Sequence, residues 1–268
     1  MTKAKKAFRY IYLGLILIFI FSPIAVMVLF SFNASKSLTK FTGFSFRWYG
    51  ELFRNTELLN AISSTFIIAI ISTIVSTIIG TLAAISLTKN KKVFREVVMG
   101  LSNIPILSPE IVTAIAFFVF FGAFSIQKGM TTVILAHIAF STPYVILAVY
   151  PKIKNLDPDL VSAAYDLGAT PRQALFKVIL PQISVAIFAG AAIAFAMSFD
   201  DFVISYFAKG PTTTNISIYL YTLKRGIEPT VNALTAIMMI VIIGKVIFDY
   251  IRSGKKKGEE EWKNYCYL

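Results

Sequence analysis

Asp159-Leu-Val-Ser-Ala-Ala-Tyr-Asp-Leu-Gly-Ala-Thr-Pro-Arg-Gln-Ala-Leu-Phe-Lys-Val-Ile-Leu-Pro181 is a polar, charge-bearing stretch set between two strongly apolar ones. Just ahead of it, Asp157-Pro158-Asp159 reads as a helix start, an acidic cap followed by proline in the first turn. Leu160, Ala163, Ala164 and Leu167 then form an apolar stripe at helical spacing, which Gly168 ends. Thr170-Pro171 repeats the start for a second short helix with Leu175, Phe176 and Ile179 apolar, and Pro181 marks entry to the next apolar run. Two short helices at an elbow, with small residues outward, make a knob able to seat in a groove on another protein. The competing reading is a plain amphipathic loop at an interface.

Outward from this stretch the chain is apolar. Its 268 residues are 56% hydrophobic and only 15% charged, against about 25% charged in soluble domains. A bilayer core needs roughly 20 apolar residues per helical span. Six runs qualify: 10–32, 61–87, 97–124, 130–150, 182–207 and 231–251. They are apolar throughout rather than alternating, which predicts helices and not barrel strands. The expected fold is an all-α membrane protein of six transmembrane helices, one transmembrane domain over 1–268, with a cytoplasmic loop at 155–181 and no room for a separate soluble domain.

The net charge of +12 reports topology. Lys3, Lys5, Lys6 and Arg9 precede the first run; Lys89, Lys91, Lys92 and Arg95 follow the second. Lys152, Lys154, Arg172 and Lys177 follow the fourth, and Arg252, Lys255, Lys256, Lys257 and Lys263 follow the sixth. These 17 lie on one side, against eight on the other: Lys36, Lys40, Arg47, Arg54, Lys128, Lys209, Lys224 and Arg225. The positive-inside rule therefore places both termini and the polar loop in the cytoplasm, and a nucleic-acid partner is not called for. The first run exceeds the 7–15 residues of a secretory signal core and lacks an A-x-A-like site, so it reads as an uncleaved helix. The single cysteine, Cys266, allows no internal disulfide, and its place in a cytoplasmic tail suits a reducing compartment. Gly258 to Lys263 reads as a charged, frayed tail.

The second run is rich in hydroxyls (Ser63, Ser64, Thr65, Ser72, Thr73, Ser76, Thr77), with Gly80 near its end; such a helix packs closely inside a bundle or against a partner subunit. The third contains Pro105, Pro109 and Glu110, so its first half is expected to be irregular, as is tolerated where other helices or a cavity satisfy the freed backbone. The outer loops are short and build no external receptor domain.

Ionisable groups within spans cost roughly 2.5–3.5 kcal/mol on insertion scales and are functional candidates by default. The candidates singled out here are Glu110, Asp200 and Asp201, and Lys245 is the one Lys or Arg inside the runs. An acidic path suits a cationic solute; the alternative is that the carboxylates pair with a partner subunit or loop cations. On a continuous helix Asp201 shares a polar face with Ser198 and Ser205, while Asp200 shares an apolar face with Ala196, Met197, Val203 and Ile204. Asp201 is therefore the stronger path candidate, with Asp200 joining it only if the helix unwinds there, and Glu110, after Pro109, is placed to face a cavity. Trp48 and Tyr49, in the first outer loop, are either interface anchors or an aromatic gate holding an ammonium group by cation–π contact. Tyr206, Tyr219 and Tyr221 are weaker candidates of that kind. His137 has no Cys, His or Asp at ligand spacing and reads as a satisfied packing histidine. No metal site and no catalytic residue is expected.

In the opening stretch, Ala163-Ala164, Gly168 and Val178-Ile-Leu-Pro181 resemble the cytoplasmic loop signature of binding-protein-dependent ABC importer permeases: Glu-Ala-Ala, three residues, Gly, nine residues, Ile-x-Leu-Pro. Ser162 stands where the family has Glu, and Val178 where it has Ile. The resemblance implies a type I ABC importer permease fold and assigns Asp159, Ser162, Ala163, Ala164, Gly168 and Pro181 to a coupling helix that docks into an ATPase. Further segments resemble the C-type permease subunit of the spermidine/putrescine branch: Ser31-Phe-Asn33, Trp48-Tyr49, Ser108-Pro-Glu-Ile-Val112, Leu167-Gly-Ala169, Ser198-Phe-Asp-Asp-Phe-Val-Ile-Ser205, Gly210-Pro211 and Pro229-Thr-Val-Asn-Ala-Leu234. By that resemblance Trp48, Glu110, Ser198, Asp200 and Asp201 match positions tied to polyamine passage, Glu110 standing where Asp is common. It further implies a heterodimer with a second permease, two ATPase subunits holding ATP and Mg, an extracytoplasmic binding protein, and a place in the bacterial cytoplasmic membrane.

The function expected is ATP-driven polyamine import by alternating access. The chain has no G-x-x-x-x-G-K-[ST] phosphate loop and binds no cofactor itself, so it converts partner motion into access. The alternatives are a permease for ferric ion, an amino acid or an anion, the last disfavoured by the acidic spans. A stand-alone channel would not need the polar loop. A membrane enzyme would need a metal or nucleophile constellation within the spans.

Overall fold

The computed structural model describes residues 3–37, 39–223 and 228–266, with side chains described at 8–37, 39–223, 228–248, 250 and 251. Lys224 and Arg225 of the outer charge count lie outside the described residues, as do the side chains of Lys3, Lys5, Lys6, Arg252 and the tail to Cys266. The described chain is helical apart from one isolated bridge, Asn33 with Phe44. In order come α1 (Lys3–Phe30), α2 (Arg47–Leu52), α3 (Thr56–Lys89), α4 (Lys92–Leu107), α5 (Glu110–Ala123) and α6 (Met130–Lys154). They are followed by α7 (Pro158–Asp166), α8 (Pro171–Ala174), α9 (Leu180–Phe199), α10 (Val203–Ala208), α11 (Ile216–Thr222) and α12 (Pro229–Cys266).

Five stretches are long and apolar enough to cross a membrane: Phe8–Phe30, Thr56–Lys89, Met130–Lys154, Pro171–Phe199 and Pro229–Phe248. A sixth is the pair α4 and α5, bent by 108°. Ser108 is extended (ψ 145°) and Pro109 follows it, since proline disfavours helical geometry in the residue before it. The irregular third run thus takes the form of a sharp break immediately before Glu110.

The chain divides into two compact units, one formed by residues 1–59 and 223–268 and the other by 60–222. In the first, α12 packs against α1 and α2. Its outer loop is organised by Asn33, whose amide donates to the carbonyls of Ser37 (2.8 Å) and Lys40 (2.9 Å) and accepts from the Thr42 backbone N–H (2.8 Å). Rings of Phe32, Phe44, Phe46 and Tyr49 cluster beside it.

In the second unit α6 is the central helix, packed along α9, with α4 and α10 also against it. Val145 of α6 fits between two glycines. A Cβ at Gly80 would lie 2.7 Å from that of Val145, and one at Gly190 3.3 Å from its Cα, so α3 and α9 approach α6 only because these positions lack side chains. One apolar cluster gathers here (Ala84, Leu87, Val145, Val149, Ile183, Ala194), and a second joins α5, α6 and α10 (Ala114, Phe121, Ala136, Phe140, Ile204, Ala208).

Two expectations for the fifth run are corrected. The helix that begins at Pro171 is not a separate short piece: it continues through a π-helical turn, Leu175–Ile179, into α9. Proline at 181 would clash with the carbonyl four residues back in an α-helix; the wider turn, closed by Leu180 N–H to the Leu175 carbonyl, accommodates it. Nor does the helix continue to 207. It ends at Phe199, and Asp200, Asp201 and Phe202 form a non-helical link to α10.

Candidate functional site

The break in the fifth span is held from within. Asp201 is 3% exposed and caps the first turn of α10, accepting from the backbone N–H groups of Ile204 (3.1 Å) and Ser205 (2.7 Å). His137 of α6, wholly buried, spans the break. Its Nδ1 is 2.6 Å from Ser198 Oγ at the end of α9, and its Nε2 is 3.0 Å from Ser205 Oγ and 3.2 Å from Asp201 Oδ2. Asn215, ahead of α11, donates to Ser205 Oγ (2.9 Å) and to the Asp201 carbonyl (3.3 Å). Ser72 of α3 meets Ser198 Oγ at 2.9 Å, and Thr65 accepts from the Ile216 N–H at 2.9 Å. Five helices of this unit are joined through this one buried polar network, satisfied as buried polar groups must be.

The acidic cluster lies beside it. Glu110 is exposed at the first turn of α5, the helix that packs on α10 just past Asp200 and Asp201. Asp200 itself is exposed, its backbone carbonyl accepting from Ser217 Oγ (3.2 Å). Among the described residues no Lys or Arg forms an ion pair with any of the three. Glu110 lines a cavity of about 220 Å3 with Ser108, Thr113, Phe140, Tyr144, Met197 and Ile204. Both broken spans therefore meet where α5 packs on α10, with carboxylates at the breaks and aromatic rings on the cavity wall. Discontinuous helices with polar side chains at the break are how membrane transporters build solute sites.

Of the residues singled out from sequence, the structure brings together Glu110, Ser198, Asp200 and Asp201. Asp201 is buried as a cap and His137 partner, while Asp200, on the apolar face of a continuous helix, is exposed once the helix breaks. Trp48 and Tyr49 belong to the other unit. Trp48 is 1% exposed, donates from its indole N–H to the Asn33 carbonyl, and carries the Arg47 guanidinium 5.1 Å from its ring centroid. Tyr49 shares a hydrogen bond with Ser31 Oγ (2.8 Å). Ser31-Phe-Asn33 and Trp48-Tyr49 thus lock onto each other. His137 is satisfied, as its sequence context suggests, but its partners Ser198 and Ser205 lie 61 and 68 residues away, a separation no local pattern reveals. Asn215 and Ser72 had no sequence signal beyond polarity.

The polar loop after α6 has the caps expected. Asp157 accepts from the Asp159 N–H (2.9 Å) with Pro158 at the first helical position, and Thr170 and Gln173 form a capping box. Gly168, at φ +80°, closes α7: its N–H reaches the Tyr165 carbonyl and that of Ala169 the Ala164 carbonyl, both at 2.9 Å, a Schellman end that glycine alone enters without strain. Ser162 opens onto a cleft of about 370 Å3 with Lys89, Asp157 and Tyr165. Leu167 (89% exposed) and Phe176 (66%) are bare.

Residues 76–257, which include the loop, both broken spans and the acidic cluster, match the family described as the binding-protein-dependent transport system inner membrane component. The chain belongs to this family. It is 34% identical over 242 residues to the spermidine/putrescine transport system permease protein PotC of Escherichia coli K12, covering 90% of this chain and 92% of that one. It is 31% identical over 250 residues to the putrescine transport system permease protein PotI of the same organism, covering 89% of each. Among solved structures, a bacterial ABC transporter involved in the import of the acidic polysaccharide alginate superposes with a TM-score of 0.74 at 13% identity, over 94% of this chain and 98% of that one. The fold is that of an ABC importer permease, and the chain is an inner-membrane transport component with the helical, membrane-spanning architecture expected from its sequence.

Proposed function

We propose that this importer permease passes polyamines, di- and tri-cations such as putrescine and spermidine, into the cytoplasm. The observation that carries the reading is the acidic cluster at the two span breaks, Glu110, Asp200 and Asp201, with no Lys or Arg ion pair among the described residues. Unneutralised carboxylates at membrane depth are costly, and an ammonium group arriving between Glu110 and Asp200 offsets that cost. Tyr144 and Phe140 offer ring faces on the same cavity, where cation–π contact adds about 0.5–2 kcal/mol. Similarity to PotC and PotI, whose names state spermidine and putrescine transport, supports the same solute class.

The chain works with a second permease, two ATPase subunits that bind ATP and Mg, and an extracytoplasmic binding protein. It needs no cofactor or catalytic residue of its own. The knob formed by α7 and the start of the fifth span, with Asp159, Ser162, Ala163, Ala164 and Gly168 on it and Pro181 at its exit, seats in the ATPase. Its bare Leu167 and Phe176 are faces that such a partner would cover. ATP-driven closure of the ATPases moves this knob, and the motion opens the path first outward, then inward. Trp48 and Tyr49 shape the outer loop that receives the binding protein.

The test is uptake of labelled spermidine and putrescine into proteoliposomes holding the co-encoded complex with ATP on the ATPase side. ATP-dependent uptake whose KM rises in Glu110→Gln supports the reading. A complex with binding-protein-stimulated ATPase activity and no polyamine uptake would overturn it.

A further inference from the structure

The buried His137 has no place in the transport reading above, yet its side chain makes three polar contacts. It touches both sides of the break, Ser198 on α9 and Ser205 on α10, and the Asp201 carboxyl between them. Asp201 spends both oxygens on α10 backbone N–H groups and one of them also on His137. A carboxylate so committed is not available to a passing solute. The neighbour it leaves free is Asp200, which points outward only because the helix stops one residue earlier.

We propose that His137 is a positioning residue: by pinning Ser198, Asp201 and Ser205 it holds the fifth span broken and so presents Asp200, beside Glu110, to the transported cation. This rests on the polyamine reading for the identity of the cation, but not for the pin. The interruption has neither proline nor glycine behind it: 195–208 contains neither, and these are the usual causes of an interrupted helix. What interrupts it is side-chain competition for the backbone, Asp201 capping α10, and that cap is oriented from α6. His137 is thus assigned to placement and Asp201 to the pin, leaving Asp200 and Glu110 as the solute contacts.

Two measurements on the assembled complex test this. In hydrogen–deuterium exchange, His137→Leu accelerates the amides of Ile204 and Ser205 at least about 10-fold relative to wild type, because their cap loses its orientation; unchanged exchange overturns the pin whatever solute is carried. In spermidine uptake, His137→Leu raises KM about 10-fold with a smaller change in Vmax. His137→Gln, which keeps a polar atom near the Nε2 position, recovers most of it. The double variant His137→Leu/Asp200→Asn shows a KM no higher than the worse single variant, since both act through Asp200. Additive effects would assign His137 a separate role. Should His137→Leu not assemble, Ser198→Ala, which removes one leg of the pin and little volume, carries both measurements with the same expected directions. If wild type carries no polyamine, the solute reading falls, while the exchange result still decides the pin.

Discussion

Three adjacent carboxyl groups in this protein have three different duties because their surroundings differ. Asp201 is spent on backbone N–H groups and His137, Asp200 is exposed by the helix break, and Glu110 lines a cavity with Tyr144 and Phe140. Glu110→Gln keeps size and removes charge. A hydrogen bond to a charged group is worth about 1.5–3 kcal/mol, so KM for spermidine uptake should rise roughly 10-fold or more, while Glu110→Asp, with shorter reach, should fall between wild type and the amide. A rise in Vmax with unchanged KM would remove Glu110 from the binding step. Gly80 has a purely steric duty. Gly80→Val places atoms where a Cβ would already be 2.7 Å from Val145, and overpacking of this kind costs about 1–3 kcal/mol. The thermal midpoint of the purified complex should drop, and Val145→Ala in the same chain should restore part of it.

The knob formed by α7 and the start of the fifth span depends on one backbone conformation. Gly168 sits at φ +80° with open space where a Cβ would be, so substitution there meets no clash and strains only the backbone, by about 1–2 kcal/mol for an ordinary L-residue. Asn tolerates this region better than most residues. Gly168→Val should therefore detach the ATPase in co-purification, Gly168→Asn should largely retain it, and neither should alter docking of the external binding protein. Equal retention by both variants would separate α7 from ATPase contact. The π-helical turn after α8 is a second device of the same loop. It joins the knob to α9 without a hinge, so displacement at Pro171 is carried along the helix toward Phe199 and the break that follows.

Charge asymmetry sets how the chain lies in the bilayer. With Cys266 replaced by serine, a cysteine at Asn90 should react with a membrane-impermeant maleimide only in inverted vesicles, and one at Gln127 only in right-side-out ones; the reverse pattern would invert the topology and move the knob to the wrong side of the membrane. The single chain buries no residue of the apolar stretch Phe8–Phe30 of α1, as suits a helix that mostly faces lipid or a second permease.

Helical class and the apolar spans were legible from residues 1–268 read in order, because hydropathy is summed locally and needs no knowledge of neighbours. The caps at Asp157, Thr170 and Gly168 were legible for the same reason: each is a contact within five residues. The break at Ser108 and Pro109 could be anticipated since proline restricts its own neighbour. The break at Asp200 was open in the sequence only as an unwinding that would bring Asp200 into play. A continuous-helix projection across 195–208 groups Asp201 with Ser198 and Ser205, and the structure brings the three together, though not on one helix face: His137, more than 60 residues away, bridges them across the interruption. Trp48 likewise read as an anchor or a gate, and its burial under Arg47 beside Asn33 was set by how the outer loop closes. Local chemistry decides which segments enter the membrane; which carboxylate meets the solute depends on long-range hydrogen bonds that exist only once the helices have packed.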